Sequence, residues 1–138
     1  MFITSLAGFS QLDDLAAARA ELMAIPQDCD WGNARRRASA LVKVGGALTG
    51  LGRCDEALAS FDEAETLVLG SPEDDSSRVV LLPVLRYWKA LALASGGDFE
   101  RAWGVLGQIS SDDLSVSRMR PVRAKITAFR LQLLGILE

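Results

Sequence analysis

Three segments of the chain repeat one order of acidic, small and large apolar residues, and this repetition limits the possible folds more than any other feature. The segments are LDDLAAARAELMAI, GRCDEALASFDEAETL and GGDFERAWGVLGQI. Aligned after their acidic starts, they place small residues in one column and large apolar residues in the next: Ala18, Ala57 and Ala102, then Leu22, Phe61 and Leu106. Residues four apart lie on one face of a helix, and alanine leaves room for a close neighbour. Each segment is therefore predicted to be a helix packed tightly against a second helix.

A second helical stretch precedes each of these segments, and its small residues also recur. Gly45 and Ala90 occupy matching places 45 residues apart, and the same step again reaches Gly135 in the final stretch RPVRAKITAFRLQLLGILE. Arg86 stands where the second stretch has Leu41. No alternation with a period of two extends over a useful length, so we predict an all-α protein. The predicted helices cover about 2–10, 13–25, 31–50, 53–68, 76–95, 98–109 and 118–137.

The columns resemble the tetratricopeptide repeat, a family that pairs two antiparallel helices with small residues at the crossing. The second repeat is the best match and carries Leu41, Val44, Gly45, Leu48, Gly52, Asp55, Glu56, Ala57, Phe61 and Ala64. The third repeat matches through Ala90, Leu93, Gly97, Phe99, Ala102, Leu106 and Ile109. The chain departs from the family in three ways. Cys54 stands at the usual aromatic position, the closing proline is absent, and the repeats are spaced more widely than the family's period of about 34 residues.

The resemblance implies one domain over residues 1–138, built as an antiparallel helical-hairpin stack of the α-solenoid type. Its repeats are expected to cover about 1–30, 31–70 and 76–110, and a terminal helix at 118–138 is expected to cap the third repeat. Repeats with helices of this length are similar to those of bacterial regulator domains.

The chain carries few residues that could perform chemistry. It has no histidine, which excludes Ser-His-Asp and Cys-His nucleophilic centres and most zinc sites. Of the two cysteines, Cys54 is interpreted as a small core residue and Cys29 as a loop residue. We therefore predict a protein that is not an enzyme and that binds no metal and no cofactor.

Composition and charge also limit the expected location and partners. The net charge of -3 disfavours nucleic-acid binding. The opening residues MFITSLAGFSQLDD lack the basic region and the cleavage-type ending of a secretory signal. Pro83, Arg86 and Lys89 interrupt the apolar run VVLLPVLRYWKALALA, which is too short between charges to span a membrane. We expect a cytoplasmic protein.

Helical-hairpin stacks of this family curve, and the first helix of each hairpin lines the concave side. We predict a groove lined by Trp31, Arg35, Ser39, Val42, Gly46, Thr49, Val84, Tyr87, Leu91 and Phe129. Trp31 and Tyr87 are suited to anchor a partner, because rigid aromatic rings bury a large area at low entropic cost. The family's carboxylate clamp needs Lys, Asn and Arg where Val42, Gly46 and Thr49 stand. An apolar or amphipathic segment therefore fits this groove better than an acidic C-terminus.

Basic residues near the predicted helix starts define a second candidate surface, the basic margin. It consists of Arg36, Arg78, Arg123 and Lys125. Positive charge at a helix N-terminus opposes the macrodipole by a few tenths of a kcal/mol. Repetition of this unfavourable choice indicates a use, such as holding an acidic segment or a phosphate. The alternative is that the margin forms salt bridges with acidic loops, including Glu73-Asp74-Asp75.

These observations favour a non-catalytic module that holds a partner polypeptide in the groove, as an adaptor or a small chaperone. Two alternatives stay open. The chain is a regulatory or sensor domain of a bacterial regulator that accepts a signal peptide or another domain, or it is a scaffold that associates with itself. The apolar ending FRLQLLGILE favours the last, as a homodimer through the C-terminal helix.

Overall fold

Helices account for almost all of the described chain. The computed structural model describes residues 2–27, 30–71, 76–109 and 120–137, with the side chains of 2–12, 76 and 77 left aside. Within these ranges the chain is all-α and has no strand, as predicted. The helices are α1 (Phe2–Ala24), α2 (Trp31–Gly50), α3 (Cys54–Leu69), α4 (Ser76–Ser95), α5 (Phe99–Gly107) and α6 (Arg120–Leu137).

The N-terminal helix differs from the sequence-based expectation. Two helices were predicted, at 2–10 and 13–25, but α1 runs without interruption from Phe2 to Ala24. The sequence favours a helix start at Asp13 and Asp14, because negative charge is stabilising at a helix N-terminus. No glycine or proline stands at this point to end a helix, so the acidic pair lies inside α1. The first predicted repeat is therefore one long helix packed directly on α2.

Two helical hairpins, α2–α3 and α4–α5, are closed by the same turn. Gly52 and Gly97 follow the first helix of each hairpin with φ of 81° and 89°, a backbone conformation that glycine adopts without steric cost. Arg53 N donates to Leu48 O at 2.9 Å, and Asp98 N donates to Leu93 O at 2.9 Å. These bonds define a Schellman motif at each helix end. Because the next helix begins within two residues, each pair folds back on itself.

The small-residue columns lie where helices cross. Ala18, Ala57 and Ala102 are all buried, and so are Gly45 and Ala90. Each helix packs on the next along the chain, and α2 also contacts α4. One core cluster joins α1 to α4 and contains Leu15, Leu41, Leu48, Phe61 and Leu85. The other joins α4 to α6 and contains Leu93, Leu106, Ile126, Phe129 and Leu133. The central helix α4 contributes to both.

Helix α6 is held against α5 by apolar packing and by one arginine. Ile126, Phe129 and Leu133 face the second cluster. Arg130 Nη2 donates to Leu106 O at 2.8 Å and to Ile109 O at 3.2 Å, which satisfies carbonyl groups at the C-terminal end of α5. Among the described residues, no helix is long and apolar enough to cross a membrane.

Candidate partner-binding site

An open cleft of about 610 Å³ lies between α1, α2 and α4. It is lined by Asp14, Ala17, Ala18, Glu21, Val42, Lys43, Gly46, Ala47 and Trp88. We call this surface the α1–α2–α4 cleft. Its apolar part consists of small side chains and the Trp88 ring. A methyl group built at Gly46 would lie 3.6 Å from Trp88 Cη2, so the ring stands directly over this glycine.

The rim of the cleft is polar and crosses from α1 to α2. Lys43 Nζ donates to Glu21 Oε1 at 3.2 Å and to Oε2 at 3.1 Å, so this pair neutralises one end. Asp14 precedes Glu21 by seven residues and lies about two helical turns away on the same face of α1. Within the described ranges no cation pairs with Asp14. The rim therefore has one compensated carboxylate and one uncompensated carboxylate.

A row of aromatic rings continues from the cleft across α4 to α6. The Tyr87 and Trp88 rings meet edge to face, with centroids 6.3 Å apart and planes at 61°. Tyr87 also meets Phe129 at 6.2 Å with the ring planes at 90°. Burial raises the pKa of the Tyr87 hydroxyl above its ordinary value, because the phenolate loses hydration. The row thus links the cleft to the second core cluster.

Apart from Phe129, the predicted groove residues fall into three groups in the structure. Val42 and Gly46 line the α1–α2–α4 cleft. Val84, Tyr87 and Leu91 are half-buried on α4 against the second core cluster. The remaining positions of the prediction on α2 are Trp31, Arg35, Ser39 and Thr49, of which Arg35 is exposed and the others are half-buried. Thr49 Oγ1 donates to Gly45 O of its own helix at 2.8 Å.

Phe129 is the predicted groove residue with the least accessible side chain. It is only 9 % exposed and packs in the second core cluster beneath Tyr87. Its inward orientation follows from the spacing of Ile126, Phe129 and Leu133, which places all three on the face of α6 that meets α5. Phe129 supports the wall of the groove from behind and offers a partner little surface.

Most of the cleft lining lies outside the set predicted from sequence. The additional residues are Asp14, Ala17, Ala18, Glu21, Lys43, Ala47 and Trp88. Three of the α1 positions, Asp14, Ala17 and Glu21, recur at helical spacing and form a signal that was present in the sequence. The sequence pattern does not predict them as part of the groove, because it makes residues 13–25 the second helix of a hairpin, and second helices lie on the convex side of a stack.

The basic margin is largely exposed. Arg36 Nη1 donates to Asn33 Oδ1 at 3.5 Å, and Arg78 Nη1 donates to Ser71 O at 3.3 Å. Arg123 and Lys125 are exposed on α6. Lys43–Glu21, Arg53–Glu56 and Lys89–Asp62 are ion pairs in the part of the chain that the structure describes, and none of these three includes a margin residue. The predicted salt bridges to Glu73-Asp74-Asp75 lie outside the described residues, as does Cys29.

The described residues offer little for catalysis or metal binding. Cys54 is half-buried and unpaired, and no group of three His, Cys, Asp or Glu side chains in the described ranges is placed to hold a metal ion. A comparison with protein-family models, characterised proteins and solved structures found no match to this chain.

Proposed function

We propose that this chain is a non-catalytic binding module that holds a segment of a partner polypeptide in the α1–α2–α4 cleft. The observation that carries the proposal is the open cavity of about 610 Å³ with Trp88 standing over Gly46. The two hairpins with matching turns are proposed to form a tetratricopeptide-like stack, in which such a cleft is part of the concave side. An adaptor or a small chaperone would use this arrangement, and a regulatory domain of a bacterial regulator would use the same surface.

The residues that line the cleft suit a polypeptide with apolar side chains. Ala17, Gly46 and Ala47 have little or no side chain, so a partner backbone can approach the helices closely. Trp88 and Tyr87 are already ordered by packing, and a partner that covers them buries area at little entropic cost. Leu91 and Val84 extend the half-buried apolar strip along α4.

A capture experiment from lysate of the source cell tests this proposal. The wild-type chain is compared with a Trp88→Ala, Val42→Ser variant, which changes two residues of the cleft lining. A Met23→Ala, Leu69→Ser control removes exposed apolar side chains that do not line the cleft. All three proteins must first show cooperative unfolding. We expect the wild type and the control to retain a polypeptide that the variant with the altered cleft loses. Equal retention by all three would place the binding surface elsewhere and overturn the proposal.

Self-association through α6 is a second candidate function, favoured by the exposed apolar side chains of this helix. Leu131 is 65 % exposed, whereas its register counterpart on α2, Leu41, is 3 % exposed beneath α3. Among the described residues, no atom lies within 4 Å of a Cβ built at Gly135, whereas Gly45 is covered by Phe61. The face of α6 that matches the covered faces of α2 and α4 is therefore open, and a helix from a second copy would cover it.

Sedimentation velocity over a range of concentrations tests self-association. If α6 forms the contact, wild type dimerises, Leu131→Glu is monomeric, and Gln132→Glu dimerises as wild type does. The two variants add the same charge at neighbouring exposed positions, and only Leu131 removes apolar surface. A monomeric wild-type protein at every concentration would eliminate this candidate.

A further inference from the structure

We propose that the α1–α2–α4 cleft selects a helical segment in which a bulky apolar anchor is followed or preceded, one turn away, by a lysine or arginine that pairs with Asp14. This inference rests on the proposed function and names the chemistry of the partner. Its basis is the charge around the cleft together with the shape of the cleft.

The end of the cleft at Asp14 carries a negative charge that a cation from a partner can neutralise. Its lining contains two carboxylates, Asp14 and Glu21, and one ammonium group, Lys43. Lys43 bridges both oxygens of Glu21 at 3.1 and 3.2 Å, so that end is already neutral. Asp14 is exposed and has no cation among the described residues. A cation delivered by a partner therefore finds its complement at Asp14.

The shape of the cleft favours a helix from a polypeptide over a small molecule. Asp14, Ala17, Glu21 and Lys43 are all exposed, so one side of the cavity is open to solvent. A small ligand is normally enclosed over most of its surface, which an open cleft does not provide. An amphipathic helix can lay one face across the cleft with an anchor over Gly46. Residues three or four apart on that helix are about 5–6 Å apart, which allows anchor and cation to lie on the same face.

The cleft lining and the basic margin carry net charges of opposite sign. The margin residues Arg36 and Arg78 lie near the starts of α2 and α4, and the cleft lies further along both helices at Val42, Gly46 and Trp88. The basic margin predicts an acidic partner segment, whereas the cleft lining carries an excess of negative charge. A segment that occupies the cleft is expected to be cationic close to its anchor.

Selection from a phage-displayed library of random linear peptides on immobilised wild-type protein tests this inference. We expect enriched peptides that carry a bulky apolar residue with Lys or Arg three or four positions away. Synthetic copies are then titrated against four variants in two matched pairs. Asp14→Lys is paired with Asp13→Lys, and Ala17→Leu with Ala16→Leu; in each pair both positions are exposed on α1, and only the first lines the cleft.

Asp14→Lys is expected to weaken binding of the selected peptides by roughly three- to thirtyfold, because attraction at an exposed site becomes repulsion. Ala17→Leu is expected to weaken it by at least about tenfold, because the added side chain occupies the space of the anchor. Asp13→Lys and Ala16→Leu should bind as wild type does. Selection on the Asp14→Lys variant should enrich acidic residues in place of basic ones.

Two contrary results separate this inference from the proposed function. Peptides that lose binding to the Trp88→Ala, Val42→Ser variant but bind Asp14→Lys and Ala17→Leu normally would overturn the inference and leave the proposed function standing. Enrichment of no peptide above the level on an empty support would overturn both.

Discussion

Gly45 of α2 lies directly beneath the ring of Phe61 on α3. A methyl group built at Gly45 would come within 2.6 Å of Phe61 Cζ and 2.8 Å of Cδ1, well inside van der Waals contact. Phe61 is completely buried, with Ala57 and Ala64 one turn away on either side also at 0 % exposure. Protein interiors are close-packed, so we expect the ring to have little room to move, and the closeness of these two helices then depends on the missing side chain at position 45.

Substitution of this glycine is expected to destabilise the fold. Gly45→Ala raises intrinsic helix propensity by up to about 1 kcal/mol, but overpacking against Phe61 costs about 1–3 kcal/mol and outweighs that gain. Gly46→Ala is the matched control, because its added methyl meets Trp88 at an ordinary contact distance of 3.6 Å. Urea unfolding followed by circular dichroism should show Gly45→Ala less stable than wild type and Gly46→Ala equal or slightly more stable.

A second-site change identifies the cause of that loss. Phe61→Leu removes ring atoms next to position 45 and creates a cavity in the wild-type background. In the Gly45→Ala background the same change should cost less free energy of unfolding, because part of the new space is filled. Strictly additive effects of the two substitutions would contradict the packing explanation.

The crossing at Gly45 also shows which part of the fold could be predicted from sequence. Small residues at regular spacing are a steric requirement wherever two helices nearly touch, so Ala18, Ala57 and Ala102 indicated the buried faces correctly. Arg86, which interrupts the same pattern, is explained by the structure. Its Nη1 donates to Gln108 O at 3.3 Å, at the carbonyl end of α5.

The cleft could be predicted only in part, for a physical reason. The contribution of α2 follows from the register of that helix, and Val42 and Gly46 were identified. The contribution of α1 depends on whether Asp13 and Asp14 start a helix or continue one, and aspartate is compatible with both. Trp88 turns toward Gly46 of α2, while its neighbour Tyr87 contacts Phe129 of α6. The orientations of these two side chains depend on how α2, α4 and α6 pack, which the sequence pattern does not specify.

Removal of the Arg130 guanidinium is expected to loosen the attachment of α6. Arg130→Met keeps most of the aliphatic stem but removes the donors to Leu106 O and Ile109 O. The expected loss is about 1.5–3 kcal/mol, the range for hydrogen bonds made by a charged group. Arg123→Met, at an exposed position on the same helix, should change the free energy of unfolding by less than about 0.5 kcal/mol. Equal effects of the two substitutions would assign no special role to the Arg130 contacts.

Amide hydrogen exchange locates the effect of Arg130→Met. Local opening of α6 should become easier, so its amides should exchange faster than in wild type. Amides of α2 and α3, which form a separate hairpin, should keep their protection. Faster exchange throughout the protein would indicate global destabilisation and not a local loss of docking.

Lys89–Asp62 and Lys43–Glu21 each join two different helices, and these pairs are expected to differ in strength. Lys89 Nζ lies 2.7 Å from Asp62 Oδ1, and the Lys89 side chain is only 16 % exposed. Both partners in the Lys43–Glu21 pair are about half exposed, at 57 % and 47 %. Asp62→Asn leaves a mostly buried ammonium group without its counter-charge and should cost about 1 kcal/mol. Glu21→Gln should cost less than about 0.5 kcal/mol, since water screens the exposed pair.

Salt dependence provides the measurement that separates the two pairs. The cost of Glu21→Gln should disappear at high ionic strength, while much of the cost of Asp62→Asn should persist because ions do not reach the buried side of that pair. Urea unfolding at low and high salt measures both. If the two substitutions cost the same at both salt concentrations, burial of Lys89 does not strengthen its pair.

Tyr87 is expected to titrate above the ordinary tyrosine value of about 10, because burial disfavours the phenolate. It is the only tyrosine in the chain, so the ultraviolet absorbance of tyrosinate reports on this residue alone. The pKa is raised in the folded state, so above pH about 10 the unfolded chain binds fewer protons than the folded one, and stability falls as pH rises. The stabilisation is complete below the unfolded pKa and is lost as the pH passes through the folded pKa.

Comparison with Tyr87→Phe isolates this contribution from the other groups that titrate at high pH. The difference in free energy of unfolding between wild type and Tyr87→Phe should be constant below about pH 9 and should then move against the wild type. A peptide bound in the α1–α2–α4 cleft that also covers Tyr87 should raise its pKa further, since it removes more water from the hydroxyl. A titration at or below the ordinary tyrosine value would contradict the burial of this ring, and with it the aromatic row that joins the cleft to α6.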